Sequence, residues 1–201
     1  MVTQSKCNST MSNKFLDTKS RVYHFKTFSS RAQYQMVITT YKKLLDCGFY
    51  WSSITGKEAN ALLEKERIGT FLIRDSSDNR HLFTLSVKTV VGPKSVRIKC
   101  DSNSFYLQTD ANNTLAVPRF DCILKLIEFY MPRVTGGCVI YYIHNAGEKI
   151  PLDLRRPFSC NLSTLQHLCR RTVNSHSDIS SKKDELPQTI RDFLQEYDAS
   201  I

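Results

Sequence analysis

From Tyr34 onward the apolar positions of the chain fall into regular rhythms. Tyr34, Val37, Ile38, Tyr41, Leu44 and Leu45 recur at offsets 0, 3, 4, 7, 10 and 11, which places all six on one stripe of a helix. Such a helix is only about four turns long, so packing rather than propensity must hold it. Thr55-Gly56-Lys57-Glu58 has the spacing of a capping box and predicts a second helix, with Ala59, Leu62 and Leu63 following. The period then drops to two. Phe71 to Asp75 is a short apolar run; Phe83, Leu85 and Val87 alternate with Thr84, Ser86 and Lys88; Val96, Ile98 and Cys100 alternate with Ser95, Arg97 and Lys99. Gly92-Pro93 predicts the hairpin turn between the last two. After Phe105 and Leu107 a helical rhythm resumes through Phe120, Ile123, Leu124, Ile127, Tyr130 and Met131. Helix, antiparallel meander, helix predicts an α+β domain with one central antiparallel sheet between two helices.

The flanks differ in character. Residues 1 to about 20 are polar and read as a disordered leader. Beyond Pro157, Leu162, Leu165, Leu168, Cys169, Thr172 and Val173 line one helical face, a polar stretch runs from Asn174 to Ser181, and Ile190, Phe193, Leu194 and Tyr197 line a second face. Two short helices cannot bury those stripes on each other alone. No internal repeat is visible.

Composition narrows the class. With 201 residues, 41% of them hydrophobic, the chain has material for one main domain of about 100 to 150 residues plus appendages. No apolar run approaches the roughly 18 residues of a bilayer span, and the first residues lack the apolar stretch of a secretory signal, so neither membrane insertion nor secretion is expected. Seven cysteines without a C-x-x-C pair point to reduced thiols. Cys160, His167 and Cys169 come nearest to a metal pattern, but zinc sites bring ligands in as paired knuckles, so no metal or other cofactor is expected. The net charge of +9 lies in residues 1–32 and 33–158, and residues 159–201 are slightly acidic. A basic balance can serve nucleic acid, an acidic membrane or a phosphorylated partner.

Phe71-Leu72-Ile73-Arg74-Asp75-Ser76-Ser77 is the stretch richest in chemistry. An arginine inside an apolar strand is costly to bury unless its guanidinium is paired, and Ser76 and Ser77 offer donors rather than a carboxylate. A buried fork-shaped cation ringed by donors suits a dianionic phosphate. Arg97 falls on the polar face of a neighbouring strand, where a second cation could reach the same anion. Taken alone, the segment is equally consistent with an Arg74 tied to a core carboxylate.

The segment resembles the phosphotyrosine-binding strand of Src-homology-2 (SH2) domains, and Phe49-Tyr50-Trp51 resembles the aromatic opening of that fold. The resemblance implies that Arg74 holds the phosphate with help from Ser76, Ser77 and Arg97. Ser95 stands where a histidine is common, so that auxiliary contact is not carried over. Ser163-Thr164-Leu165-Gln166-His167-Leu168-Cys169-Arg170 resembles the elongin-binding helix of a SOCS box, and Leu186-Pro187 with the last helix resembles its cullin-contacting part. Phe25-Lys26-Thr27-Phe28-Ser29-Ser30 and the helix after it resemble a kinase inhibitory region and an extended SH2 helix. The chain is thus similar to the suppressors of cytokine signalling over nearly its whole length from Phe25.

That resemblance implies a layout of leader (1–24), kinase inhibitory region (25–30), extended SH2 helix (31–46), SH2 domain (47–158) and an all-α SOCS box (159–201). Phe25, Lys26, Thr27, Phe28 and Ser29 would occupy a Janus kinase substrate groove, with Phe28 in its apolar pocket. Val37 and Leu44 would support the SH2 domain. Leu165, Leu168 and Cys169 would contact elongin B/C, and Leu186 and Pro187 a cullin-5 class scaffold. Leu186-Pro187-Gln188-Thr189 departs from the fuller Leu-Pro-x-Pro, which implies modest cullin affinity. Met131 to Gly137 is short where mammalian relatives carry a Pro-rich insertion, so degradation signals assigned to that insertion do not transfer. The expectation is a cytoplasmic negative regulator of cytokine JAK-STAT signalling that binds tyrosine-phosphorylated receptors and is not an enzyme. No P-loop or kinase Gly-rich loop is present. The rivals from other classes are a thiol hydrolase using one of the cysteines and a nucleic-acid binder driven by charge, for which no recognition motif is found.

Overall fold

Residues 28–109, 117–132, 141–145, 148–176 and 183–201 are described by the computed structural model. The first helix, α1 (Arg31–Asp46), begins where Ser30 accepts the Gln33 N–H at 3.1 Å. It buries Val37, Thr40, Tyr41, Lys43 and Leu44. Leu45, expected on the inner stripe, is 39% exposed, because the buried arc runs from Lys43 through Leu44 and Val37 to Tyr41 and Leu45 falls about a tenth of a turn beyond its edge. The capping box forms as expected at α2 (Gly56–Glu64): Thr55 Oγ1 accepts the Glu58 N–H and the Glu58 carboxylate accepts that of Thr55, which holds the Glu58 carboxyl below its usual range.

Five strands form the main sheet: β1 (Thr70–Asp75), β2 (Phe83–Thr89), β3 (Gly92–Cys100), β4 (Phe105–Leu107) and β7 (Arg156–Pro157), in the order β4-β3-β2-β1-β7. All neighbours are antiparallel except β1 and β7. A separate antiparallel pair joins β5 (Tyr142–Asn145) to β6 (Glu148–Pro151). The β2–β3 turn sits two residues earlier than expected, at Val90-Val91, with Gly92 paired to Thr89 and Pro93 to Lys88. Gly92 adopts φ 106°, a conformation open to glycine at little cost, which is why it closes the turn instead of forming its tip. Helix α3 (Ile123–Tyr130) is shorter than its apolar rhythm. Phe120 instead exchanges backbone hydrogen bonds with Phe105, and Pro132 holds Met131 extended at the C-cap.

The pleat sends Phe71, Ile73, Phe83, Leu85, Val87, Val96 and Ile98 into one large core with α1 and α3, whereas Leu72 joins Ala59 and Leu63 of α2 on the opposite face. The sheet therefore lies between α2 on one side and two helices, α1 and α3, on the other. At the margin of the smaller cluster Trp51 stacks on Phe158 at 5.1 Å and donates its Nε1–H to the Phe158 carbonyl.

The C-terminal region contains α4 (Leu165–Ser175), a short 3₁₀ turn (Lys183–Glu185) and α5 (Gln188–Glu196). It is not packed apart from the rest. Tyr197, Ala199 and Ile201 belong to the same core as Val37, Leu44 and Ile127. Asp198 pairs with Lys43 of α1 and Lys125 of α3, and Ser200 bonds the Glu128 carboxylate. Burial raises the Asp198 carboxyl, but the hydrogen bond and charge of Lys43 outweigh it and hold the group below its usual range.

Candidate functional site

The registers β1–β2 and β2–β3 put Arg74 opposite Thr84 and Thr84 opposite Arg97, so the three lie in one row on the α2 side of the sheet. Arg74 is 5% exposed. Its Nε–H donates to Ser86 Oγ at 3.3 Å, and one terminal nitrogen donates to the Asp75 carbonyl at 2.9 Å and to Ser77 Oγ at 3.4 Å. The other terminal nitrogen has no hydrogen-bond partner among the described residues and lies over Gly56, where an added Cβ would come within 3.2 Å. No carboxylate among the described residues pairs with Arg74, so the core-carboxylate alternative is set aside. Burial lowers the affinity of this guanidinium for its proton, opposed by the charge of Asp75. The arrangement is a desolvated cation braced by neutral oxygens, with one side of its fork uncommitted.

The surrounding loops are fixed by backbone contacts. Ser52, at φ 42° the only described non-glycine residue with positive φ, accepts the Asp75 N–H through its carbonyl at 2.8 Å. Tyr50 donates its hydroxyl proton to Asp75, and burial together with that carboxylate pushes the phenol well above its usual pKa. Ser76 Oγ accepts the Asp78 N–H, and its own N–H donates to the Leu82 carbonyl. Ser77 is exposed beside Arg74.

Of the two expected cations, Arg97 is the one already paired with a carboxylate. Its Nε lies 3.4 Å from the Asp78 carboxylate, which also bonds Arg80 and approaches His81. The Arg80 hydrogen bonds hold the Asp78 carboxyl well below the usual range. Asp78, Ser86 and Gly56 were not foreseen as parts of the site. Ser86 had a signal, since it falls on the polar side of the β2 alternation, and it also bonds Ser95 at 2.9 Å. Nothing in the sequence alone pairs Asp78 with Arg97.

Residues 49–130 match the SH2 domain family profile. Over the full length of both proteins the chain is 52% identical to the suppressor of cytokine signaling 3 of Gallus gallus and 48% identical to that of Homo sapiens. The chain belongs to the suppressors of cytokine signalling. The suppressor of cytokine signaling 2 of Homo sapiens is 33% identical over 78% of each chain.

In this suppressor chain the other expected site residues are distributed as follows. Val37 and Leu44 are fully buried between α1 and the SH2 core. Phe28 packs partly on that same core and meets Tyr34 edge to face at 5.3 Å. Ser29 bonds Gln33, whereas Phe25, Lys26 and Thr27 lie outside the described residues, as do residues 133–137 of the short Met131–Gly137 segment. On α4 the expected apolar stripe faces out: Leu165 is 77% exposed, and Leu168 and Cys169 are exposed beside it. The inward face carries His167 and Arg170 instead. Leu186 is half-buried and Pro187 caps α5. Cys160 donates to backbone carbonyls at Gly48 and Tyr50 and is not brought together with His167 and Cys169 into a metal-binding group. Burial pushes the Cys47 thiol up to about 12 and raises those of Cys122 and Cys160, the reverse of what a nucleophilic thiol requires.

Proposed function

We propose that this suppressor acts as a cytoplasmic, non-catalytic regulator of cytokine JAK-STAT signalling, holding tyrosine-phosphorylated receptors through its SH2 domain. The observation that carries the reading is the Arg74 guanidinium, 5% exposed, braced by Ser86, Ser77 and the Asp75 carbonyl and without a carboxylate partner among the described residues. A dianionic phosphate completes that coordination, whereas a neutral tyrosine hydroxyl does not. Calorimetric titration with receptor-type phosphotyrosine peptides tests it directly. Binding is expected for the phosphorylated peptide alone, and equal heats from the unphosphorylated control would refute the assignment.

The same proposal assigns α4 to elongin B/C and the Leu186-Pro187 turn to a cullin-5 class scaffold, making the chain the substrate adaptor of a ubiquitin ligase. The outward Leu165, Leu168 and Cys169 support this, because an apolar stripe left in solvent suits a partner's groove. Replacing Leu165 and Cys169 by serine should abolish co-elution with elongin B/C. Direct inhibition of Janus kinases by Phe25 to Ser29 completes the reading. A second reading, an SH2 and SOCS-box adaptor without kinase inhibition, is favoured by one observation: Phe28 is already packed on Tyr34 and the core. Assay of a purified kinase domain without receptor peptide separates the two. Phe28→Ala should raise the inhibitory concentration by about two orders of magnitude or more if the ring fills a kinase pocket, and should leave it unchanged under the adaptor reading.

A further inference from the structure

The end of the SH2 sheet farthest from Arg74 carries an apolar cluster that none of the assignments above uses. Val90 and Val91 at the β2–β3 turn are 70% and 46% exposed, and Ile68, just before β1, is 47% exposed. They are neighbours. The Gly69 N–H donates to the Lys88 carbonyl at 2.8 Å, which extends the β1–β2 ladder toward the turn and sets Ile68 beside Val90. The end of α2 closes against the same turn, where the Lys88 ammonium bonds both the Glu64 carbonyl and its carboxylate at 3.0 Å.

The charge around this tip is of one dominant sign. Three carboxylates are matched by cations: Glu64 by Lys88, Glu66 by Arg156 at 2.8 Å and Asp153 by Arg155 at 2.7 Å. Arg155 and Arg156 belong to this end because both of their N–H groups donate to the Gly69 carbonyl. Lys65 and Arg67 come in addition, so among the described residues named here the cations outnumber the acids by two. Short aliphatic side chains projecting from a rigid turn within a cationic collar have the chemistry of a surface that meets anionic headgroups and dips its tip below them.

We propose that the Ile68, Val90 and Val91 end docks this protein on an anionic membrane surface. The absence of a long apolar segment argued against membrane insertion, but a peripheral contact needs no span. The docked tip and Arg74 lie at opposite ends of β1, about 20 Å apart along a six-residue strand, so the candidate phosphate site stays open to a peptide. The proposal does not depend on the phosphotyrosine reading.

Co-sedimentation of the full chain with vesicles tests it. Binding to phosphatidylserine-containing vesicles is expected at low salt, with little binding to phosphatidylcholine alone. Val90→Asp with Val91→Asp should abolish the partition, and Arg67→Glu should lower it roughly tenfold or more, both without change in thermal midpoint. Val90→Trp should bring a blue shift in fluorescence when anionic vesicles are added. Equal partition to both vesicle types, or an aspartate pair that partitions as the parent does, would overturn the proposal, since adsorption would then reflect the general charge of the chain. So would capture on polyglutamate beads without capture on anionic vesicles, which would indicate an acidic protein in place of a bilayer. Phosphopeptide affinity measured on the same variants keeps the two sites apart: it should not move.

Discussion

Arg74 and Arg170 are withdrawn from solvent to nearly the same degree, at 5% and 6%, and they illustrate opposite uses of a buried cation. Arg74 is braced by hydroxyl and carbonyl oxygens and forms no ion pair with a carboxylate among the described residues. Arg170, by contrast, is paired through its terminal nitrogens with carboxylates. Its guanidinium lies over the rings of Phe193 and Tyr197 at 4.8 and 5.2 Å and pairs with Asp46 at 3.5 Å and Glu196 at 3.6 Å. It thereby fastens α4 to α5 and to the last residue of α1. Burial alone does not mark a functional arginine; the identity of its partners does. One guanidinium awaits an anion, and the other is a rivet.

Four outcomes would break or sharpen that contrast. The largest concerns Arg74→Lys, which keeps the charge and loses the fork. With charge-assisted hydrogen bonds contributing roughly 1.5 to 3 kcal/mol each, phosphopeptide affinity should fall about a hundredfold or more by calorimetry, while the thermal midpoint stays close to the parent's. If Arg74 were a rivet too, stability would fall with affinity. Arg170→Ala should show the reverse pattern. Loss of its stacking on two rings predicts destabilisation of about 1 to 2 kcal/mol in denaturant titration, with phosphopeptide affinity unchanged. A normal denaturation midpoint would strip Arg170 of its structural role.

Smaller effects come from groups that modulate each site. Asp78→Asn should release Arg97 and tighten phosphopeptide binding by up to about fivefold, the scale of one exposed ion pair. Weaker binding would mean that Asp78 holds Arg97 in place for the phosphate. The smallest effect is a pH dependence. Burial, then the charges of Arg170 and Arg171, lower the His167 pKa in the folded chain. The unfolded chain therefore takes up its proton first as pH falls below about 6.5, and the native state loses stability from there down through the folded pKa. His167→Gln should flatten that part of the stability profile, and an unchanged slope would assign the dependence to other groups.

Much of this was legible in the chain. The two periods located α1, α2 and strands β1 to β3, because half-buried elements must alternate with their own geometry. Arg74 stood out because a charge in an apolar strand demands an explanation. What escaped notice depends on contacts distant in sequence. Ser86 reaches Arg74 across a strand pair, and Asp78 meets Arg97 from a different loop. On α4 the apolar stripe was expected to await a partner and is exposed; what no local rule announces is that His167 and Arg170 form the buried side, against the rings of Tyr197 and Phe193. Leu45 was misplaced for a similar reason: the width of a buried arc is set by what packs on it.

The segment from Tyr197 to Ile201 has a consequence for the order of events in folding. Lys43 and Asp198 are 155 positions apart, so the contact that seals α1 against α3 closes one of the longest loops the chain can make. Contacts of that span form late and slow the search for the native state. During synthesis, at about 5 to 20 residues per second, the sheet and its first helices are made roughly 2 to 9 seconds before their final seal. Val37, Leu44 and Ile127 then wait for Tyr197, Ala199 and Ile201. Ribosome-bound chains halted near residue 158 would hold that flank open, leaving its apolar side chains without the cover that Tyr197, Ala199 and Ile201 supply.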